Sequence, residues 1–357
     1  MRRPYTTVLI VPTGIGAAIG GYAGDALPVA RSLAQVSDWL ITHPNVLNGA
    51  QLYWNLPNAL YVEGFGLDQF AAGNWGLALV HQNRVGLILD QGIEADLRVR
   101  HLQVADAARA TLGLNLTDYV VTDAPLGVAL KTAASGATWG TIANPDSLLR
   151  AAERAIQAAG ATAIAVVTRF PDDPGTCALQ NYRQGKGVDP LAGAEAVISH
   201  LIVREFRIPC AHAPALAPLP LDPTISPRSA AEELGYTFLP CVLVGLSRAP
   251  QFVQSANNLT QDQIWADQVD AVVIPATACG GSAIMHLGNS RVGRPLIIAV
   301  RENYTTMQVP PERLGIASVR VNSYLEAVGM IAAHRAGVNP AALNAAIAPL
   351  QWLDDVN

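Results

Sequence analysis

Short runs of apolar, largely β-branched residues alternate with longer segments of helical periodicity along nearly the whole chain. Thr7–Val11, Trp39–Thr42, Val85–Asp90, Tyr119–Thr122, Ala161–Thr168, Asp270–Ile274 and Pro295–Val300 read as strands, with Pro209–His212, Phe238–Leu246 and Ser318–Val321 as further candidates. Most of these runs lack the alternation of a half-exposed strand, so both faces are expected to be covered. Pro28 onward through Leu33, Ile93–Leu112, Ser147–Ala159, Leu191–Phe206, the segments after Pro227, Tyr324 and Pro340, and the short Thr260–Trp265 read as helices. Proline suits the first turn at Pro28 and Pro227, and Gly160 supplies a stop after Ala159. Between Tyr53 and Asn83 the pattern is irregular, with Tyr61–Glu63 and Trp75–Val80 as short strand candidates. The expected fold is α/β: two Rossmann-like units with largely parallel sheets and helices on both faces. The polar stretch Arg169–Gly187 is an internal seam, which predicts an N-terminal domain over 1–170, a linking loop over 171–187 and a C-terminal domain over 188–357.

Open parallel sheets bind ligands outside the carboxyl ends of their strands, so polar groups just after strands are the candidate chemistry. Foremost is Cys279, which follows the Val272-Val273-Ile274-Pro275 run and precedes Gly280, Gly281 and a helix start. Unpaired N–H groups of that helix, and Arg301 one strand further on, would favour a thiolate there, whereas a buried, inert cysteine is the plainer reading. His43 and Asn45, Asp123, and His212 stand at three other strand ends. Glu195 lies in an otherwise apolar helix, so it must be paired, face a cleft or hold a proton. It shares a face with Ser199 at i,i+4, while His200 is turned away.

Anion-binding groups are sought in two loops. Gly14, Gly16, Gly20 and Gly21 follow the first strand, where backbone N–H groups would approach a phosphate or carboxylate closely. Their spacing approximates a dinucleotide fingerprint, but Thr42-His43 stands where its acidic residue belongs, and a close-packed turn is the plainer reading. Arg183 and Lys186 would clamp an anion or simply face water. No H-x-H or H-E-x-x-H spacing occurs, so a zinc site would have to join the distant His43, His212 and His286, and no metal is expected.

The composition narrows the class of function. The 357 residues are half apolar and only 14% charged, enough for a large core. The net charge of −5 and scattered Lys and Arg give no field for nucleic acid. No apolar run reaches the ~18 residues that would span a membrane. Met1-Arg2-Arg3-Pro4-Tyr5 leads straight into the first strand, and the four cysteines form no C-x-x-C pair, which together predict a cytoplasmic protein without disulfides.

Thr13-Gly14-Ile15-Gly16, Gly20-Gly21-Tyr22-Ala23-Gly24-Asp25, Thr42-His43-Pro44-Asn45-Val46-Leu47-Asn48, Ala276-Thr277-Ala278-Cys279-Gly280-Gly281 and Val300-Arg301-Glu302-Asn303 together resemble an uncharacterised conserved family of cyanobacteria and plastids. The resemblance covers nearly the whole chain and implies a photosynthetic source, but no reaction. The leading expectation is an enzyme acting on a small anionic metabolite, carboxylate or phosphate, in an inter-domain cleft. Cys279 would be nucleophile or acid/base, with His43, His212, Glu195 and Asp123 as further catalytic candidates. Gly14, Gly16, Gly20, Gly21, Asn45, Arg183, Lys186, Thr277, Gly280, Gly281 and Arg301 would hold the anion or a cofactor of unknown kind. The alternatives are an NAD(P)- or other nucleotide-dependent oxidoreductase and a non-catalytic ligand-binding or assembly protein of photosynthetic cells, with homo-oligomer formation left open.

Overall fold

The computed structural model describes residues 3–48, 56–172, 176–235, 237–254, 262–290, 294–347 and 349–350. Two parallel sheets dominate it. The first has the strand order Val319–Val321, Leu296–Val300, Val269–Pro275, Thr6–Leu9, Trp39–Thr42, Ala59–Tyr61, and the second Cys210–Ala215, Ala163–Arg169, Val85–Leu89, Leu116–Val121. The unbroken apolar runs are explained by cover on both faces. Leu9 and Val11 point into a core shared with the second sheet, while Val8 and Ile10 point into a separate core under the helices Gly64–Ala71 and Ser282–Asn289. The far face of the second sheet is covered by Pro145–Ala159 and Ala192–Phe206.

From Thr6–Leu9 the chain builds outward to one edge of the first sheet, and from Val269–Pro275 outward to the other. The strand order therefore reverses between these two central strands, and their carboxyl ends open a crevice. The division between the sheets does not follow the expected seam at 171–187. The first sheet takes strands from 6–61 and 269–321, on both sides of that seam, and the second lies within 85–215. Within the expected linking loop, Cys177–Arg183 is a helix capped by Thr176.

Several elements differ from the sequence expectation. Phe238–Leu246 is no strand: Leu239–Ser247 is a helix with Pro240 in its first turn. Leu239, Val242, Leu243 and Leu246 belong to the core shared by both sheets, and an apolar run with no polar face carries no period to separate helix from strand. In place of a helix at Thr260–Trp265, Gln263–Ile264 is a short strand against Gly76–Ala78, the first two residues of that expectation lying outside the described residues. Pro340–Leu343 is a single 3₁₀ turn. Unforeseen are Gly64–Ala71 and the hairpin Val128–Thr132 with Thr138–Ile142. The hairpin presses on Ala192–Phe206 at Gly193, where a Cβ would stand 2.3 Å from the Thr138 carbonyl oxygen, so that close approach requires glycine.

Candidate functional site

A cavity of about 330 Å³ lies at the strand-order reversal of the first sheet. Pro12 and Thr13 line it after one central strand, Ala278 and Gly281 after the other, and His43 and Asn45 after the next. Glu63, Gly64 and Asp68 come from the neighbouring strand end and the helix behind it. The opposite wall is one stripe of the helix Ala192–Phe206. Its Ala192, Glu195, Ala196, Ser199 and His200 recur at the three-and-four spacing of a helix face, over roughly 12 Å of axis. Beside that stripe, His212, Pro214 and Leu216 alternate along and just beyond the strand Cys210–Ala215, while Ala211, Ala213 and Ala215 turn into the core.

The helix places two groups on one imidazole. Ser199 Oγ lies 2.9 Å from His212 Nδ1, and Glu195 Oε2 lies 3.6 Å from His212 Nε2, near enough for charge attraction though longer than a hydrogen bond. One turn on, His200 Nδ1 bonds Glu63 Oε1. Burial works against the imidazolium of His200, but the bond to Glu63 and the charges of Glu63 and Asp68 outweigh it and raise its pKa. The other oxygen of Glu63 caps its helix by accepting from the Phe65 and Gly66 N–H groups.

A second acidic group gathers where the helix begins. Asp189 is buried, with Oδ1 accepting from the Leu191 N–H at 2.8 Å. Burial, then the charges of Glu232 and Glu195, push its pKa well above the carboxylate range. Glu232 accepts from Tyr182 Oη at 2.7 Å and from the Ala23 N–H at 3.0 Å, yet burial raises it to about 7. Asp68 accepts from the Ala283 N–H at 2.9 Å and is raised by burial.

His43 is the remaining titratable wall residue. It is 8% exposed, and its Nε2 accepts the Val11 N–H at 3.1 Å. Burial lowers its pKa to about 4, so the ring is neutral near pH 7 and carries its proton on Nδ1. Among the described residues Nδ1 has no hydrogen-bond partner.

A protein family described as a protein of unknown function, DUF3326, matches residues 6–344. The chain belongs to this family. An uncharacterised lipoprotein of a Synechococcus species is 63% identical over 354 residues, 99% of this chain and 97% of its own length. No solved structure matches. The resemblance drawn from the glycine loop, the His43 loop and the Cys279 turn is thus a family relationship, with a cyanobacterial relative. The cytoplasmic expectation does not stand, because that relative bears the name of a lipoprotein, a class held to membranes by covalent lipid. Among the described residues, no helix is long and apolar enough to cross a membrane.

In this DUF3326 fold the expected site residues part company. His43, Asn45, Glu195, His212 and Gly281 line the cavity. Cys279 does not. It is fully buried in the core beneath the first sheet, Sγ rests 3.9 Å from the Pro275 carbonyl oxygen, and its N–H donates to the Val309 carbonyl at 2.9 Å. Burial pushes its thiol up to about 11, with Glu312 adding to the shift and Arg320 opposing it. Arg301 is exposed and lies 3.5 Å from Asn322 Oδ1, so the expected thiolate is reversed. Thr277 bonds Thr305 at 2.9 Å, and Gly280 packs against Val309. Asp123 is ion-paired with Arg150 at the surface, which lowers it to about 2.

The expected anion holders are committed elsewhere as well. Arg183 is buried and bonds Glu233 at 2.6 and 3.1 Å and the Pro220 carbonyl at 2.8 Å, while Lys186 is exposed, and neither lines the cavity. The glycine loop spends its N–H groups internally: Ala18 on the Tyr304 carbonyl, Ile19 on Asn303, Gly20 on Asp25, Ala23 on Glu232 and Gly24 on the Asn45 carbonyl. Two of those acceptors are carboxyl groups, which would repel a pyrophosphate. Gly14 and Gly16 hold left-handed turns against Thr138 and Val188, and Gly21 lies on the Ala17 carbonyl. Glu63, Asp68, Asp189 and Glu232 were not singled out as site residues. Glu63 and Asp68 fall in the stretch of irregular pattern, Asp189 stands two residues before the helix expected from Leu191, and Glu232 sits beside Glu233 in the segment after Pro227.

Proposed function

We propose that the cavity takes a small molecule carrying a basic nitrogen, and that Glu195 with His212 exchanges a proton with it. The observation that carries this reading is the charge of the lining. Glu63, Asp68, Asp189, Glu195 and Glu232 face an otherwise largely apolar space together with His43, His200 and His212, and among the described residues no Lys or Arg lines it. An anionic metabolite finds no counter-charge there beyond His200, whose charge is taken up by Glu63. Burial favours the protonated forms of Asp189 and Glu232, and the charge of Glu195 acts in the same direction on both. A protonated amine would replace those protons, its ammonium satisfied by Glu195 and Glu232 and its alkyl part by Leu67, Leu216, Phe238 and Ile284. His212, held on one side by Ser199 and facing Glu195 on the other, is the group placed to pass a proton on.

Calorimetry with hexylamine and hexanoate tests the reading. Hexylamine is expected to bind and hexanoate not, and Glu195→Gln is expected to lower hexylamine affinity about tenfold or more, the scale of a charge-assisted hydrogen bond. Binding of hexanoate in place of hexylamine would overturn it.

A further inference from the structure

Among the described residues, none supplies an acceptor for the second ring nitrogen of His43. Its ring is fixed from behind by the Val11 N–H, which occupies Nε2 and leaves the proton on Nδ1. The residue is more than nine-tenths buried and lines the cavity, and among the described residues Nδ1–H has no partner. The atom is not sealed in the protein, since the enclosed unpaired side-chain atoms among the described residues are Arg98 Nε, His101 Nε2 and Thr168 Oγ1, so this donor is open to the cavity. The missing acceptor therefore belongs to whatever fills the space.

We propose that the ligand presents a neutral carbonyl oxygen to His43 Nδ1–H, which makes it an amine bearing an amide or ester group on the same short chain. This rests on the reading of the cavity as a site for a basic ligand and adds the second anchor. The oxygen is neutral because of its neighbours. Thr42 pairs with Tyr61 on the adjacent strand, so the chain places Glu63 just beyond His43, and Asp68 follows on the next helix. With no Lys or Arg in the lining among the described residues, a carboxylate at His43 would be repelled by these groups, whereas a carbonyl accepts the same bond without the charge. The two anchors come from different sheets: Glu195 from the helix over the second, His43 from the carboxyl end of a strand in the first. A ligand that meets both bridges the crevice.

Three compounds on one alkyl chain separate the possibilities: hexylamine, aminohexanamide and aminohexanoate, each titrated calorimetrically into the full chain. Aminohexanamide is expected to bind about fivefold to tenfold more tightly than hexylamine, the value of one well-made neutral hydrogen bond, and aminohexanoate more weakly than the amide. His43→Leu should erase the preference for the amide, while His43→Gln, whose amide would accept from Val11 and donate into the cavity, should keep most of it. Because His43→Leu removes the acceptor of a buried N–H and endangers folding, the wild-type protein gives a second readout: aminohexanamide should shift the His43 Nδ1–H resonance and hexylamine should not. Equal affinity for hexylamine and aminohexanamide in the wild type, or a stronger aminohexanoate, would overturn the inference while leaving the site for a basic ligand standing. Failure of every amine to bind would remove that reading and this inference with it.

Discussion

The two strands that flank Thr6–Leu9 end in turns of opposite character. After Val269–Pro275 the chain folds Cys279 under the sheet into an apolar cluster, while after Trp39–Thr42 it holds His43 at the wall of the cavity. Both residues stand at carboxyl ends beside the strand-order reversal, where ligands are expected. Position at a strand end is therefore not sufficient. A thiol makes only weak hydrogen bonds and is stable among Val272, Ile274 and Ile284. An imidazole must satisfy two nitrogens, and here one is met by Val11 and the other is left to the cavity.

The largest expected difference between the turns is chemical. In the native state a maleimide should alkylate the exposed Cys177, while Cys279 reacts roughly a hundredfold or more slowly, through opening of the fold. Peptide mapping that finds Cys279 labelled first would break the comparison. Next in size is the response to pH, which should run in opposite directions. His43 has its pKa lowered from 6.5 to about 4, so the stability tied to its neutral ring is present above about 6.5 and is lost as pH falls toward 4. Cys279 is raised from 9.0 to about 11, so its contribution is present below about 9 and is lost as pH rises toward 11. Urea titrations should show His43→Gln flattening the acid limb and Cys279→Ala the alkaline one, each by a few kcal/mol at most. An alkaline limb unchanged in Cys279→Ala would mean that the thiol is not sealed. The smallest effect is that of Cys279→Ser, which sets a hydroxyl in an apolar cluster and should cost about 1–2 kcal/mol, while hexylamine affinity stays within twofold of wild type. A lost affinity in that variant would return the turn to the site.

The strands that were easiest to read are those whose β-branched runs are covered on both faces, such as Val269–Pro275 and Ala163–Arg169, and their parallel association followed from the same pattern. Strand order was not legible, because the pairing of Thr6–Leu9 with Val269–Pro275 spans most of the chain and leaves no local mark. Leu239–Ser247 was misread because it is apolar all round. At the site, His43 and His212 were visible as lone polar groups after apolar runs, and Glu195 as a charge in an apolar helix. Glu63 and Glu232 were not, since their role depends on elements from distant parts of the chain arriving around them. Cys279 was overrated because a sequence gives a residue's place along a strand but not the direction of its side chain.

Because the first sheet draws its strands from both ends of the chain, it cannot be completed in the order of synthesis. Thr6–Leu9 leaves the ribosome with Trp39–Thr42 available on one side and an empty edge on the other. Its partner Val269–Pro275 emerges some 260 residues later, which at ordinary elongation rates is roughly ten to fifty seconds. During that interval the four-stranded second sheet has all of its strands and can close, whereas the nascent half-sheet presents an unpaired apolar strand, the kind of edge on which other chains add. Slow translation across 85–247 would lengthen that exposure, and the cell's holding chaperones should be needed for this half of the molecule rather than for the other.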